Sequence, residues 1–198
     1  MKPVQQSIIL LSACSALFLF SSCHQPKDQG GKGAALPATE DLSVDKILAD
    51  AESLKGETVT LEGVCTHLCQ HGGKKLFLMG SDDTQTIRIE ATDETGAFSP
   101  DCVNSRVTVT GKLVEERIDE AYLIRWEAEL ADNTAEHHGE EGEAGCASEQ
   151  QAQNEAAVNT VKERIANFRT RIAREQEKTG RDYLSFYYVE AASYRIQQ

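Results

Sequence analysis

Apolar and polar positions change period several times along this chain, and each change marks an element. Ile8 to Phe20 is a run rich in Ile, Leu, Phe and Ala after the basic start Met1-Lys2. From Ser43 to Leu54, the apolar residues Val44, Ile47, Leu48, Ala51 and Leu54 form one helical stripe, with Ser43 placed to cap it and Gly56 to stop it. The period then becomes two. Thr58 to Val64 alternates as a half-buried strand, with Gly63 marking a bend. Lys75–Met79, Thr86–Ala91, Arg106–Leu113 and Ala121–Leu130 read as the second to fifth strands. Ser148 to Lys178 predicts one long helix, whose seam is Val158, Val161, Ile165, Phe168 and Ile172, ending at Gly180. Tyr183–Val189 and Ser193–Ile196 are aromatic and β-branched and predict a closing hairpin.

Five strands, a long connection after the third and a glycine inside the first form the pattern of a five-stranded OB-like barrel. The fold class expected is therefore mainly β with helices. A short helix precedes the barrel, and a long helix and C-terminal β-hairpin follow it. The helix followed by T-V-T-L-E-G resembles bacterial OB-fold and anticodon-binding-like envelope domains. The string T-H-L-C-Q-H-G-G-K-K-L-F-L-M-G at 66–80 resembles a group of Bacteroidetes-type OB-like lipoproteins. That resemblance spans Ser43 to about Leu130 and speaks to fold rather than activity.

The apolar run at the start is too short to span a bilayer comfortably and has the length of a signal-peptide core. It ends in Leu19-Phe20-Ser21-Ser22-Cys23, which resembles a lipobox. The resemblance implies cleavage before Cys23 and acylation of its thiol, anchoring the chain without a transmembrane helix. Cleavage before Cys14 fits the lipobox string better, but would leave Ala16–Phe20 as a greasy exposed terminus. The expected organisation is a signal peptide at 1–22 and a lipidated Cys with a Gly- and Pro-containing tether at 23–42. The barrel follows at 43–130, an acidic linker at 131–147 and the helix-hairpin extension at 148–198. His24 after the lipidated position favours the outer membrane, by resemblance to enterobacterial sorting.

The chain of 198 residues carries a formal net charge of −12. Asp and Glu outnumber Lys and Arg within the barrel segment too, so no basic face is hidden in an acidic whole. This argues against nucleic acid as a partner, since phosphates are neutralised by clustered cations. Carboxylates are abundant, but no Walker loop, nucleophile elbow or zinc-protease motif is present, and the chain reads as non-enzymatic.

The densest chemistry lies at Val64–Met79, where Cys65, His67, Cys69 and His71 alternate before Gly72-Gly73. On an ideal strand these four side chains share one face. Neighbouring pairs would lie roughly 6.5 Å apart, a span that one ion bridges. Thiolate and imidazole suit Zn or Cu. The expected metal set is His67, Cys69 and His71, with Cys146 as the distal ligand and His137 and His138 as weaker ones. Cys65 and Cys69 on one straight strand would be roughly 13 Å apart, too far for a disulfide. A disulfide from this run must therefore reach Cys102 or Cys146. Cys65 and Cys102 read either as core filler, as disulfide partners or as lesser ligands, and a thiol redox role for Cys69 stays open. Two other functions remain in view. One is an envelope protein-interaction module with structural cysteines. The other is oligosaccharide or nucleic-acid binding on the barrel face.

Overall fold

The computed structural model describes residues 42–69, 72–137 and 145–197. A two-residue strand, β1 (Leu42–Ser43), runs into helix α1 (Val44–Ala49), and Asp50 separates this from the single turn α2 (Ala51–Leu54). Ser43 caps α1, its hydroxyl accepting from Lys46 N at 3.2 Å. Val44, Ile47 and Ala51 bury the predicted stripe against the barrel. Gly56 follows at φ 86°, a conformation that favours glycine.

Five strands then close the barrel: β2 (Thr58–Leu68), β3 (Lys75–Met79), β4 (Thr86–Ala91), β5 (Arg106–Asp119) and β6 (Tyr183–Gln197). The order is β2-β3-β4-β6-β5, and β5 returns to pair with β2, so the sheet closes on itself. All of these pairings are antiparallel except β4 with β6, which run parallel. The short β1 adds to β2 in parallel as an extra strand. The interior is filled by Val59, Leu61, Cys65, Leu76, Leu78, Ile87, Ile89, Val107, Val109, Leu113, Val189 and Ala191, the inward set of the alternating strands.

The expected barrel, with a short helix before it and a long helix after it, is present. The segment that closes it is not the expected one. Ala121–Leu130 lies within helix α3 (Glu120–His137), and the fifth barrel strand is the C-terminal β6. Asp119 starts α3 by accepting from Tyr122 N at 2.7 Å. Tyr122, Leu123, Trp126 and Leu130 then recur at helical spacing and fill a second core with Ile118 of β5. The expected hairpin at the C-terminus is one continuous 15-residue strand whose first half pairs with the extension of β5 beyond Leu113.

The predicted long helix is two. Helix α4 (Ala147–Ala152) ends before Asn154, which adopts φ 51°, and α5 (Val161–Thr179) starts afresh at Thr160. The Thr160 hydroxyl accepts from Glu163 N at 3.2 Å. Between them the Gln150 side chain is buried and bonds both Val158 N (2.8 Å) and Val158 O (3.1 Å). The α5 seam of Val161, Ile165, Phe168 and Ile172 packs on α3 and β6, whereas Val158 of the expected seam lies before the helix, and Gly180 ends the helix at φ 80°. No helix of the described residues is long and apolar enough to cross a membrane.

One glycine sets the curvature. At Gly111 the β5–β6 register shifts, and a Cβ there would strike the Glu190 carbonyl and the Val189 and Ala191 atoms opposite.

Candidate functional site

The Cys/His run occupies the last third of β2 and the turn after it, and it does not keep a single face. Cys65 pairs with Leu78 and His67 pairs with Phe77, so two residues of β2 advance against one of β3. Thr66 is the extra residue of a β-bulge. Opposite residues on neighbouring strands share a face. Cys65 therefore points inward with Leu78, fully buried, whereas His67 points outward across from Phe77, their ring centroids 5.7 Å apart. Leu68 returns to the barrel core. The ladder continues one step, with Cys69 N donating to Lys75 O at 2.8 Å. Alternation then gives Cys69 the outer side with His67, and both are half-buried. The expectation that Cys65 shares a face with His67 and Cys69 is corrected accordingly: the bulge turns Cys65, a lesser candidate, to the core and leaves His67 with Cys69.

The turn is closed by Gly73 N donating to Cys69 O at 3.2 Å, with Gly72 and Gly73 at φ 79° and 62°. Phe98 N donates to Gly73 O at 2.9 Å, which ties the loop before β5 to this turn. His71 lies outside the described residues, as do Cys23 and His138. His137 ends α3. Cys146 is half-buried and occupies the N-cap position of α4. Among the described residues, no group of three or more His, Cys, Asp or Glu side chains is arranged to hold a metal ion. Two ligands of the expected set, His67 and Cys69, therefore share the turn, and the described groups do not by themselves complete a site.

Cys102 ends the 3₁₀ turn Pro100–Cys102 and is fully buried in the barrel core with Cys65. Burial and the neighbouring Cys102 push the Cys65 thiol up to about 12, and burial also raises Cys102. Both are neutral thiols at physiological pH.

On the outer face beside the hairpin lies a group that the sequence did not single out. Arg88 of β4 sits across from Phe77 on one side and Tyr188 on the other, with its side chain only 8% exposed. It donates to Glu116 at 2.9 Å and to Glu149 of α4 at 3.3 Å, and stacks 4.7 Å over the Tyr188 ring. Its Nε is 3.1 Å from Glu90 without the alignment of a hydrogen bond. Burial opposes the charge, but Glu116, Glu90 and Glu149 outweigh it and raise the guanidinium pKa. Lys75 also reaches Glu149, at 3.3 Å. Helix α4 thus covers the β3–β4 face through Glu149, and through Gln151, which donates to Asp83 O at 2.6 Å. The strand period did place Arg88 outside the barrel core; only the later folding-back of Glu149 buries it.

Two open clefts lie away from the hairpin. One, of about 360 Å³, runs between Leu48–Glu52, Arg171 of α5 and Tyr183–Tyr187 of β6. The other, of about 430 Å³, lies beside Gly111, Thr92–Glu94 and Glu190. In the first, Arg171 lies against the rings of Phe168 and Phe186 and donates to Gln153 O at 3.0 Å. At the first cleft the Tyr187 hydroxyl also donates to Glu52 at 2.6 Å and the Ser185 hydroxyl to Glu115 at 2.7 Å. Compared with protein-family models and with curated proteins, the chain matches none.

Proposed function

We propose that this chain is a lipid-anchored protein of the bacterial cell envelope with a non-enzymatic binding role, and that the β2–β3 hairpin coordinates a transition metal or a metal-containing ligand. His67, Cys69 and His71 are the hairpin ligands, and Cys146 is the distal one. The anchor is acylated Cys23, the location is the outer membrane, and the ion is Zn or Cu.

The observation that supports this reading is the sorting of the cysteines. Cys65 and Cys102 are sealed in the core, whereas Cys69 and Cys146 are half-exposed, and the bulge leaves Cys69 with His67 on the outer side of the turn. A thiol that served only as core filler would share the environment of Cys65. The two glycines after His71 let the turn curl, so His71 can approach an ion held by its neighbours, as a straight strand cannot.

Elemental analysis of the full chain, purified under reducing conditions without chelators, tests this. About one Zn or Cu per chain is expected, a stoichiometry set by a single tetrahedral site. The variant carrying His67→Ala and Cys69→Ala should be metal-free. Equal metal content in both proteins would end this reading.

The rival reading, ligand binding on the open barrel face, loses support from α4. The sheet face formed by β3 and β4 is where OB-type barrels often take oligonucleotides or sugars. Here Glu149 lies over its Arg88 and Lys75.

A further inference from the structure

We infer that Cys65 and Cys102 form a disulfide inside the barrel when the chain folds under oxidising conditions. This goes beyond the metal reading. It draws on the envelope location only for the oxidant.

The argument begins with faces. Of the four cysteines described, only Cys65 and Cys102 point into the same core, and both are fully buried there. The Thr66 bulge puts Cys69 on the opposite side of the sheet from Cys65, and Cys146 caps a helix on the outside. The backbone brings the two inward cysteines together. Cys65 N donates to Ser105 O at 2.9 Å, and Asn104 N donates to Cys65 O at 2.8 Å. Ser105 N in turn donates to Cys102 O at 3.0 Å, closing a tight turn between them. The Pro100–Cys102 turn contacts β2, and Cys102 lies near enough to Cys65 to oppose its ionisation.

The turn is also held in place independently of the sulfurs. Asp101 N donates to the Ser99 hydroxyl at 3.2 Å, the Ser105 hydroxyl to Asp101 O at 2.8 Å, and Ser99 N to the Tyr194 hydroxyl at 3.1 Å. Phe98 packs edge-on to the same tyrosine ring, centroids 5.2 Å apart. Once β6 has closed the barrel, these contacts keep Cys102 in the core beside β2, so a bond made earlier stays buried there.

The chemistry is thiol–disulfide exchange. One cysteine thiolate attacks an external disulfide, forming a mixed disulfide and expelling one thiolate. The second cysteine then attacks the mixed disulfide, the Cys65–Cys102 bond forms and a second thiolate leaves. Two thiol protons pass to the leaving thiolates, so the protein loses two electrons and the external disulfide gains them. In the closed barrel both sulfurs are sealed from solvent and from that oxidant. The bond forms while the barrel is still open and is then buried with it.

The test uses the full chain, unfolded and reduced, then refolded in a mixture of reduced and oxidised glutathione and quenched with iodoacetamide. Tandem mass spectrometry of the tryptic digest is needed, because Lys55 and Lys74 bracket both Cys65 and Cys69 in one peptide. The expected product links Cys65 to Cys102. Alkylation of both Cys65 and Cys102, or linkage of either one to Cys69 or Cys146, overturns the inference. A second measurement reads burial. The bond should survive a thiol reductant in buffer and be lost within the same time once urea is added; rapid reduction without urea counts against it. The oxidised chain should melt about 10 °C above the reduced one, from the loop closed in the unfolded state. Linkage mapping and metal analysis fail separately, so loss of one reading leaves the other standing.

Discussion

Thr66 decides which side of the sheet each soft ligand serves. As the extra residue of the bulge, it sends Cys65 to the core and His67 to the surface. Glu115 shows how a single side chain carries stability at the other end of the barrel. Its carboxylate is largely buried, which opposes ionisation, but it accepts from Arg117 at 3.0 Å, Ser185 at 2.7 Å and Lys55 at 3.4 Å. These bonds outweigh burial and hold its pKa at about 2, below the ordinary 4.5. A depressed folded-state pKa means the contribution is present above the unfolded value and is lost as pH falls through the folded one. Stability should drop by about 2 kcal/mol between pH 4.5 and 2 on account of this group. Urea midpoints across that range should show it, and Glu115→Gln should flatten the slope. A slope unchanged in the variant would place the acid sensitivity elsewhere. At Gly111, a Cβ meets the Glu190 carbonyl and the Ala191 backbone of β6 as well as the buried Val189 side chain. Gly111→Ala should cost about 2–3 kcal/mol, a strain comparable to overpacking a core, measurable by equilibrium unfolding.

At the scale of elements, polar contacts fasten α4 and apolar ones fasten α5. Helix α4 presents Glu149 to Arg88 and Lys75 and has no large apolar side chain. Arg88→Met removes the cation that Glu116, Glu90 and Glu149 share and should cost about 2 kcal/mol, because these half-buried carboxylates lose their charged partner. Chemical denaturation reads the loss; a variant as stable as the parent would mean that water already screens the cluster. Phe168 sits among Trp126, Phe186 and Arg164 in the second core. Phe168→Ala should cost about 3–5 kcal/mol, the range for a large aromatic removed from a packed site.

The local elements that rest on period and caps were legible in the sequence. These are the α1 stripe, the strands β2 to β4, the α5 seam and the stop at Gly180. The α3 segment carries two signals, a β-branched and aromatic content that favours a strand and a helical spacing at Leu123, Trp126 and Leu130, and the packing of the second core selects the helix. The α4–α5 break also had its signal, Thr160-Val161-Lys162-Glu163, which has the spacing of a capping box. The bulge had no equivalent signal. A threonine in a strand gives no sign that it is the extra residue, and so the shared face of Cys65 and His67 was expected and is absent. The burial of Arg88 was beyond local reading, because Glu149 approaches it from 61 residues away.

At the scale of the whole molecule, the barrel depends on its last strand. β6 lies between β4 and β5, so the residues inserted between Asp119 and Tyr183 are an excursion from the barrel rather than a tail appended to it. This late closure is a high-contact-order arrangement, which folds slowly and leaves time for the core thiols to meet oxidant before they are sealed. Chain ending at Arg181 should fail to give a cooperative unfolding transition, since β4 and β5 would both present open edges. A cooperative transition in that truncated chain would refute the closure.

The metal reading concerns the outer side of this same barrel. The most direct test is alkylation of the folded, disulfide-mapped full chain by iodoacetamide, with and without added zinc, reading each cysteine by mass. If the hairpin and Cys146 share one ion, labelling of Cys69 and of Cys146 slows together at one zinc equivalent, and His67→Ala abolishes the protection at both. Unchanged labelling of Cys69 in the presence of zinc would contradict the account.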